Sequence, residues 1–239
     1  MSGHSKWSTI KRKKGAIDEQ RSKIFQKLAK ELYVAAKNGD KDPALNANLR
    51  MVIEKAKAEN MPKDKIENAI NKASSKNDME NYDFVRYEGY GPGGVAIIVD
   101  CLTDNKNRTA SFVRTALTKS GGNLGTSNSV AYLFERKGLL ILDSCYEEDK
   151  LMEDVLDLDI IDFVKEEDGY SIECSYDNFI EIKDKLENLG YNKFITSEIT
   201  LLPNSYISLD EEKQLKFLKL LEALENIDDV QNVYHNLDL

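Results

Sequence analysis

Histidine is the side chain best suited to moving protons near neutrality, and this 239-residue chain has only His4 and His235, close to its two ends. No HExxH, CxxC or GxSxG spacing occurs, so zinc-hydrolase, dithiol and nucleophile-elbow chemistries lack their residues. Cys101, Cys145 and Cys174 are odd in number and far apart. They fit reduced thiols packed in a core, and neither a disulfide framework nor a zinc site. Carboxylates cluster at Glu147-Glu148-Asp149 and Glu166-Glu167-Asp168. At a helix start and a hairpin turn, these read as solvated faces rather than as a paired-carboxylate magnesium site. The run Gly89-Tyr90-Gly91-Pro92-Gly93-Gly94 has the composition of a phosphate loop but leads into Val95-Ala96-Ile97-Ile98-Val99, a strand. A phosphate cradle needs a helix N-terminus there, and Pro92 also removes a donor. The run is a turn, or a backbone surface for a macromolecule. No catalytic residue, no metal and no cofactor is expected, and the protein is not expected to be an enzyme.

Charge gives a more specific reading. Residues 1–76 hold 18 Lys and Arg against 9 Asp and Glu, whereas residues 77–239 hold 15 against 33, within a chain of net charge -9. A polyanion is drawn to the first part and repelled by most of the second. Lys6, Lys11, Arg12, Lys13, Lys14, Arg21 and Lys23 precede Phe25 and can neutralise phosphates. Trp7, the only tryptophan, can stack on a base or tuck against the first helix beside Ile10. Lys27 and Lys30 extend the basic set along that helix. Lys106, Arg108 and Arg114 form a basic island farther on, a possible secondary contact, while Asp104 and Asn105 beside them suit a helix cap.

These side chains need elements to carry them. From Ser22 to Lys37, Phe25, Leu28, Ala29, Leu32 and Ala36 recur at helical steps, with the lysines mostly on another side. Asn38-Gly39 stops this helix. Asp42-Pro43 is expected to start the next, with Asp42 as cap, Pro43 at the first helical position, and Leu45, Leu49, Val52, Ile53 and Ala56 as its stripe. Asn60-Met61-Pro62 separates it from a third helix carrying Ile66, Ala69, Ile70 and Ala73, and Ser74 to Asp78 is a polar linker.

The remainder alternates strand and helix. Tyr82 to Glu88 is extended, followed by a strand at 94–101, a helix at 106–119 and a strand near 129–135. The tail supplies an extended stretch at 206–208, a helix at 210–226 and a strand at 230–235. Between these halves, strand 138–142, helix 147–157, strand 159–165, strand 170–175, helix 178–189 and strand 193–199 give the βαββαβ order of a ferredoxin-like unit. The fold class is α+β: a three-helix N-terminal domain (1–76), a discontinuous ferredoxin-like α/β domain (77–136 with 205–239), and a second such domain (137–204) inserted into it. Neither outer half has enough strands for a stable sheet alone. No apolar run approaches the ~18 residues that span a bilayer, and no signal peptide is visible, so a cytoplasmic protein is expected.

Several segments together resemble the YebC/PmpR family. They are Gly3-His4-Ser5-Lys6-Trp7 with Ile10-Lys11, Lys23-Ile24-Phe25, Asn60-Met61-Pro62-Lys63-Asp64, and Arg86-Tyr87-Glu88-Gly89-Tyr90-Gly91-Pro92-Gly93-Gly94. Cys101-Leu102-Thr103-Asp104-Asn105, Asn107-Arg108-Thr109, Gly121-Gly122-Asn123-Leu124-Gly125 and Tyr132 to Gly138 continue the pattern. At Lys14-Gly15-Ala16 a glycine stands where members more often carry a helix-friendly residue. The resemblance implies one helical and two α/β domains, and DNA-binding transcriptional regulation. The family also includes a mitochondrial translational activator, and a bacterial role on the ribosome, relieving stalls at proline-rich stretches, has been proposed. The first expectation is a DNA-binding regulator, and the alternative is a ribosome-associated factor that binds ribosomal or transfer RNA. The residues themselves lean towards RNA, because helix 22–37 offers lysines that position a backbone rather than side chains that read bases. No membrane partner and no small-molecule substrate are expected.

Overall fold

The computed structural model describes residues 18–73, 81–166 and 168–239. Three helices come first: α1 (Asp18–Lys37), α2 (Ala47–Ala58) and α3 (Lys63–Lys72). Their apolar stripes meet in one core built on Leu28, Leu32, Leu49, Ala56, Met61 and Ile66. Helix α2 begins later than Asp42-Pro43 would have it. Asp42 closes a turn by accepting from the Ala44 amide at 2.9 Å, and Asn46 is the cap, accepting from the Leu49 amide at 3.0 Å. The Asn46 amide also donates to the Ala35 carbonyl at 2.9 Å and to the Asp40 carbonyl at 2.7 Å, which a carboxylate could not do. Leu45, expected in the stripe, is consequently outside the helix and 74% exposed.

Beyond the bundle the chain runs β1 (Asp83–Tyr90), β2 (Ala96–Thr103), α4 (Lys106–Lys119) and β3 (Asn123–Leu124). It continues through β4 (Phe134–Asp143), α5 (Glu148–Leu156), β5 (Ile160–Glu166), β6 (Gly169–Ser175), α6 (Phe179–Asn188) and β7 (Phe194–Pro203), and ends with α7 (Glu211–Glu225) and β8 (Val230–His235). One sheet has the order β3-β1-β2-β8 and the other β5-β6-β4-β7. The second is the ferredoxin-like arrangement read in chain order, with antiparallel pairs throughout. The first has the same arrangement, except that the strand between β3 and β2 is β1, supplied ahead of β2. The fold is therefore an N-terminal helical region followed by two α+β ferredoxin-like parts.

Two element assignments change. Residues 129–135 do not form the partner strand: Ala131–Leu133 is a 3-10 turn that leads directly into β4. The strand position falls to Asn123–Leu124, which pairs with Tyr90 and Gly89. Glycine makes this approach feasible, because a Cβ at Gly122 would lie 2.3 Å from the Tyr90 carbonyl oxygen, and one at Gly89 2.4 Å from that of Asn123. The stretch at 206–208 contributes only an isolated bridge between Ile207 and Leu237.

Two compact units result. Among the described residues, one contains those up to Ser129 with Glu211–Val233, and the other contains Val130–Asp210 with Tyr234–Leu239. The second unit packs Leu140, Leu142 and Ile172 of its sheet against Leu151, Ile182 and Leu186 of its helices. Glu166, expected on a solvated turn, is buried at the end of β5, where it pairs with Gly169. Cys101 and Cys174 are buried, and burial pushes their thiols up to about 12 and about 11. Cys145 departs from the expectation of a packed thiol and is exposed.

Asn46 ties the start of α2 to the end of α1, and its two roles can be separated. Asn46→Asp keeps the acceptor for Leu49 and removes both donors, whereas Asn46→Ala removes all three bonds. Thermal unfolding should show a loss of about 1–3 kcal/mol for Asn46→Ala and a smaller one for Asn46→Asp. Equal stability of wild type and Asn46→Ala would show that Asn46 does not hold this junction.

Candidate nucleic-acid interface

Helix α1 carries two opposed stripes. Leu28, Leu32 and Ala35 face the bundle core, and Lys23, Lys27 and Lys30, at i, i+4 and i+7, share another side. That lysine row meets the C-terminal end of α7. Lys23 Nζ donates to Asn226 Oδ1 at 2.9 Å, Lys27 Nζ to the Glu225 carbonyl at 2.8 Å, and Lys30 Nζ to the Asp228 carbonyl at 3.0 Å. The last turn of a helix presents unsatisfied carbonyls and the negative end of its dipole, so ammonium groups are well placed there.

Lys30 also pairs with Asp229, at 3.1 Å. Asp229 is buried, and its other oxygen accepts from Thr109 Oγ1 at 2.8 Å, Arg108 Nη2 at 3.0 Å and Thr103 Oγ1 at 3.3 Å. Its backbone carbonyl accepts from the Leu102 amide at 2.8 Å. Burial alone would raise the Asp229 carboxyl. The hydroxyl of Thr109, the guanidinium of Arg108 and the ammonium of Lys30 outweigh that and hold it below the usual carboxylate range. One carboxylate thus joins α1, β2, α4 and the α7–β8 turn.

The other predicted contacts fall in different settings. Lys6, Trp7, Lys11, Arg12, Lys13 and Lys14 lie outside the described residues. Arg21 is exposed at the start of α1, with its guanidinium 5.5 Å from the centre of the Phe25 ring. In the basic island, Lys106 pairs with Asp83 at 3.1 Å, and Arg108 bridges Asp104 and Asp229. Arg114 is exposed on α4. Lys23, Lys27, Lys30 and Arg108 therefore converge on the α7–β8 turn, and Lys106 and Arg114 do not join them there.

Sequence reasoning missed Asp229, Thr103, Thr109, Lys72 and Tyr82. A cleft of about 340 Å³ lies beside the lysine row, with Tyr33, Lys72, Tyr82, Glu225 and Asp228 on its walls. Tyr82 packs edge-on to Tyr33, ring centres 5.7 Å apart, and Lys30 Nζ lies 5.4 Å from its ring centre. The pair Asp228-Asp229 was a visible signal, but nothing in sequence distinguishes its exposed member from its buried one.

The glycine run forms a short turn rather than a phosphate cradle. Gly93 and Gly94 take positive φ of 72° and 81°, and Gly91 packs so closely that a Cβ would lie 2.9 Å from Ile97 Cδ1. Among the described residues, no group of three or more His, Cys, Asp or Glu could hold a metal ion, and no helix is long and apolar enough to cross a membrane.

Because the folded state holds Asp229 below its unfolded value of ~3.9, its contribution to stability is complete above that pH and is lost as pH falls through the lowered value. Asp229→Asn should be destabilised by about 1.5–3 kcal/mol at pH 7, and the gap to wild type should shrink in strong acid. Denaturant unfolding at pH 7, 5 and 3 checks it. A gap that stays constant over that range would remove the ionised carboxylate from the account.

Residues 5–76 match the family described as "TACO1/YebC protein N-terminal domain", and residues 82–237 match "TACO1/YebC second and third domain". A probable transcriptional regulatory protein of Geobacillus kaustophilus is 53% identical over 243 residues, covering 100% of this chain and 98% of that one. The probable transcriptional regulatory protein YrbC of Bacillus subtilis is 50% identical over 241 residues, covering 99% of each. The relatives carry the names of regulators, not of enzymes. The crystal structure of a conserved hypothetical protein from Aquifex aeolicus superposes with a TM-score of 0.83 at 43% identity, covering 93% of this chain and 92% of that one. With both family descriptions matched in order along nearly its whole length, the chain belongs to the YebC/TACO1 family.

Proposed function

We propose that this protein is a non-catalytic, nucleic-acid-binding regulator that acts in the cytoplasm on RNA at the ribosome, relieving stalls at proline-rich stretches. The observation that carries this reading is the position of Lys23, Lys27 and Lys30. A sequence-specific DNA reader needs a helix free to lay several side chains against base edges. The polar row of α1 is lysine, a phosphate-type contact, and in the free protein it is bonded to the end of α7. Recognition then rests on the basic segment from Lys6 to Arg21, which supplies phosphate contacts, with Trp7 available to stack on an unpaired base. Such contacts position the protein, and the specificity comes from the shape of folded RNA. The domain division that accompanies this reading is a helical domain (1–76), a discontinuous α/β domain (77–136 with 205–239) and an inserted α/β domain (137–204).

A second reading, a DNA-binding transcriptional regulator, is favoured by the names that the relatives carry. The two readings separate in one experiment. Full-length protein and the variant Lys11→Ala with Arg12→Ala and Lys13→Ala are titrated with ribosomal RNA fragments and with duplex DNA over a range of salt. RNA should bind more tightly, and the variant should weaken RNA binding regardless of sequence. It should also flatten the slope of log K against log salt by roughly 0.7–0.9 for each lost phosphate contact. Tighter, sequence-dependent binding to a duplex would sustain the transcriptional reading instead.

A further inference from the structure

The lysine row of α1 is in contact with a surrogate for phosphate. Each ammonium is met by oxygen atoms at the negative end of a helix: the side-chain amide of Asn226, the carbonyls of Glu225 and Asp228, and the carboxylate of Asp229. Such an arrangement of acceptors has the sign of a polynucleotide backbone. The described core of the bundle, from Ile24 to Ala73, is built from the bundle's own residues, and the junction with the α/β part adds the Tyr33–Tyr82 ring contact to these polar bonds. The bonds of the partly exposed lysines to Asn226 and to the Glu225 and Asp228 carbonyls are individually weak and screened by salt. The buried Asp229 keeps Thr103, Thr109 and Arg108 as donors when Lys30 changes partner. An interface of this kind can be exchanged for another of the same charge.

The space beside it fits that exchange. The cleft of about 340 Å³ has Lys23, Lys27, Lys30 and Lys72 on the bundle side, and Tyr82 at its edge offers a ring to a base. A second cleft of about 530 Å³ shares Lys30 and Tyr82 and continues past Arg108 and the exposed Phe112. The acidic cover consists of Glu225, Asp228 and Asp229, and Asp228 is exposed.

We infer that the α1 row with Lys72 and Tyr82 is a second RNA-binding site, covered in the free protein by the α7–β8 turn and uncovered when RNA phosphates replace that turn. This rests on the proposal above that the ligand is RNA. Binding at the arm raises the local concentration of phosphate, and the row then changes partner, so the bundle leaves α7 as RNA is engaged.

Energy transfer between dyes on α2 and α7 tests it, in full-length protein with Cys145→Ser and dyes at Asn48→Cys and Leu215→Cys. Both positions are exposed. Structured RNA, duplex DNA and inorganic polyphosphate are titrated in parallel, with binding read by anisotropy. Transfer should fall as RNA saturates the protein. Asp228→Asn, which removes a negative charge from the wall of the cleft and leaves the carbonyl that Lys30 bonds, should tighten RNA binding about two- to five-fold. Lys23→Gln with Lys27→Gln and Lys30→Gln should show low transfer without ligand and reduced affinity. RNA that saturates the protein while transfer stays constant overturns the inference, as does an Asp228→Asn variant of unchanged or weaker affinity. If DNA alone binds and lowers transfer, the covered site is a DNA site and its assignment to RNA is overturned. If neither nucleic acid binds, the functional reading fails, and polyphosphate still decides the cleft: constant transfer in its presence rules out a covered polyanion site.

Discussion

A buried carboxylate has to be supplied with donors, and Asp229 obtains them from three directions. Thr103 and Thr109 come from the strand and helix of the first sheet, Arg108 from the same helix, and Lys30 from the bundle. An unpaired carboxylate there would be strongly unfavourable, so each donor is held where Asp229 requires it. The requirement also fixes the start of β8, since Leu102 bonds the Asp229 backbone and aligns the strand that follows. The orientation of α1 towards α7 rests on Lys30 at this acid and on Lys23 and Lys27 at Asn226 and the Glu225 carbonyl. A single acid thereby anchors one end of the lysine row, at Lys30.

The two glycine-rich segments meet a different need. Strand β3 is only Asn123–Leu124, and it joins the sheet because Gly89 and Gly122 let backbones come within a distance that any side chain would prevent. Of the glycines that resembled a nucleotide-binding loop, Gly89 thus admits the sheet edge, Gly91 packs against Ile97, and Gly93 and Gly94 supply the turn. Their closeness is between parts of the chain, and it does not form a concavity for phosphate.

Where one element's residues carried the whole instruction, the sequence was a good guide. The stripe of α1, the apolar run within β4 and the βαββαβ order of 137–204 are local patterns, and each could be read from the order of residues. Helix α2 was misread because Asp42-Pro43 and Asn46 are both acceptable starts. The choice between them was made by the Ala35 and Asp40 carbonyls, which belong to the preceding helix and turn. The strand expected at 129–135 failed for a related reason, since β3 is specified by an absence of side chains rather than by an apolar pattern. In the site, the basic residues were legible as charge but not as contacts. Lys27 and Lys30 look alike in the sequence, and only the fold brings the second to a buried acid some 200 positions away.

That separation has a kinetic side. The strands from β4 to β7 form a contiguous run with mostly local connections, so this sheet can complete itself as soon as Pro203 has left the ribosome. The other sheet needs β8, and the lysine row needs residues 225–229, which are synthesised after β7. Until residues 225–229 have been made, the chain therefore displays the lysine row of α1 uncovered. The order of synthesis leaves the three ammonium groups of the row without these partners until residues 225–229 are made.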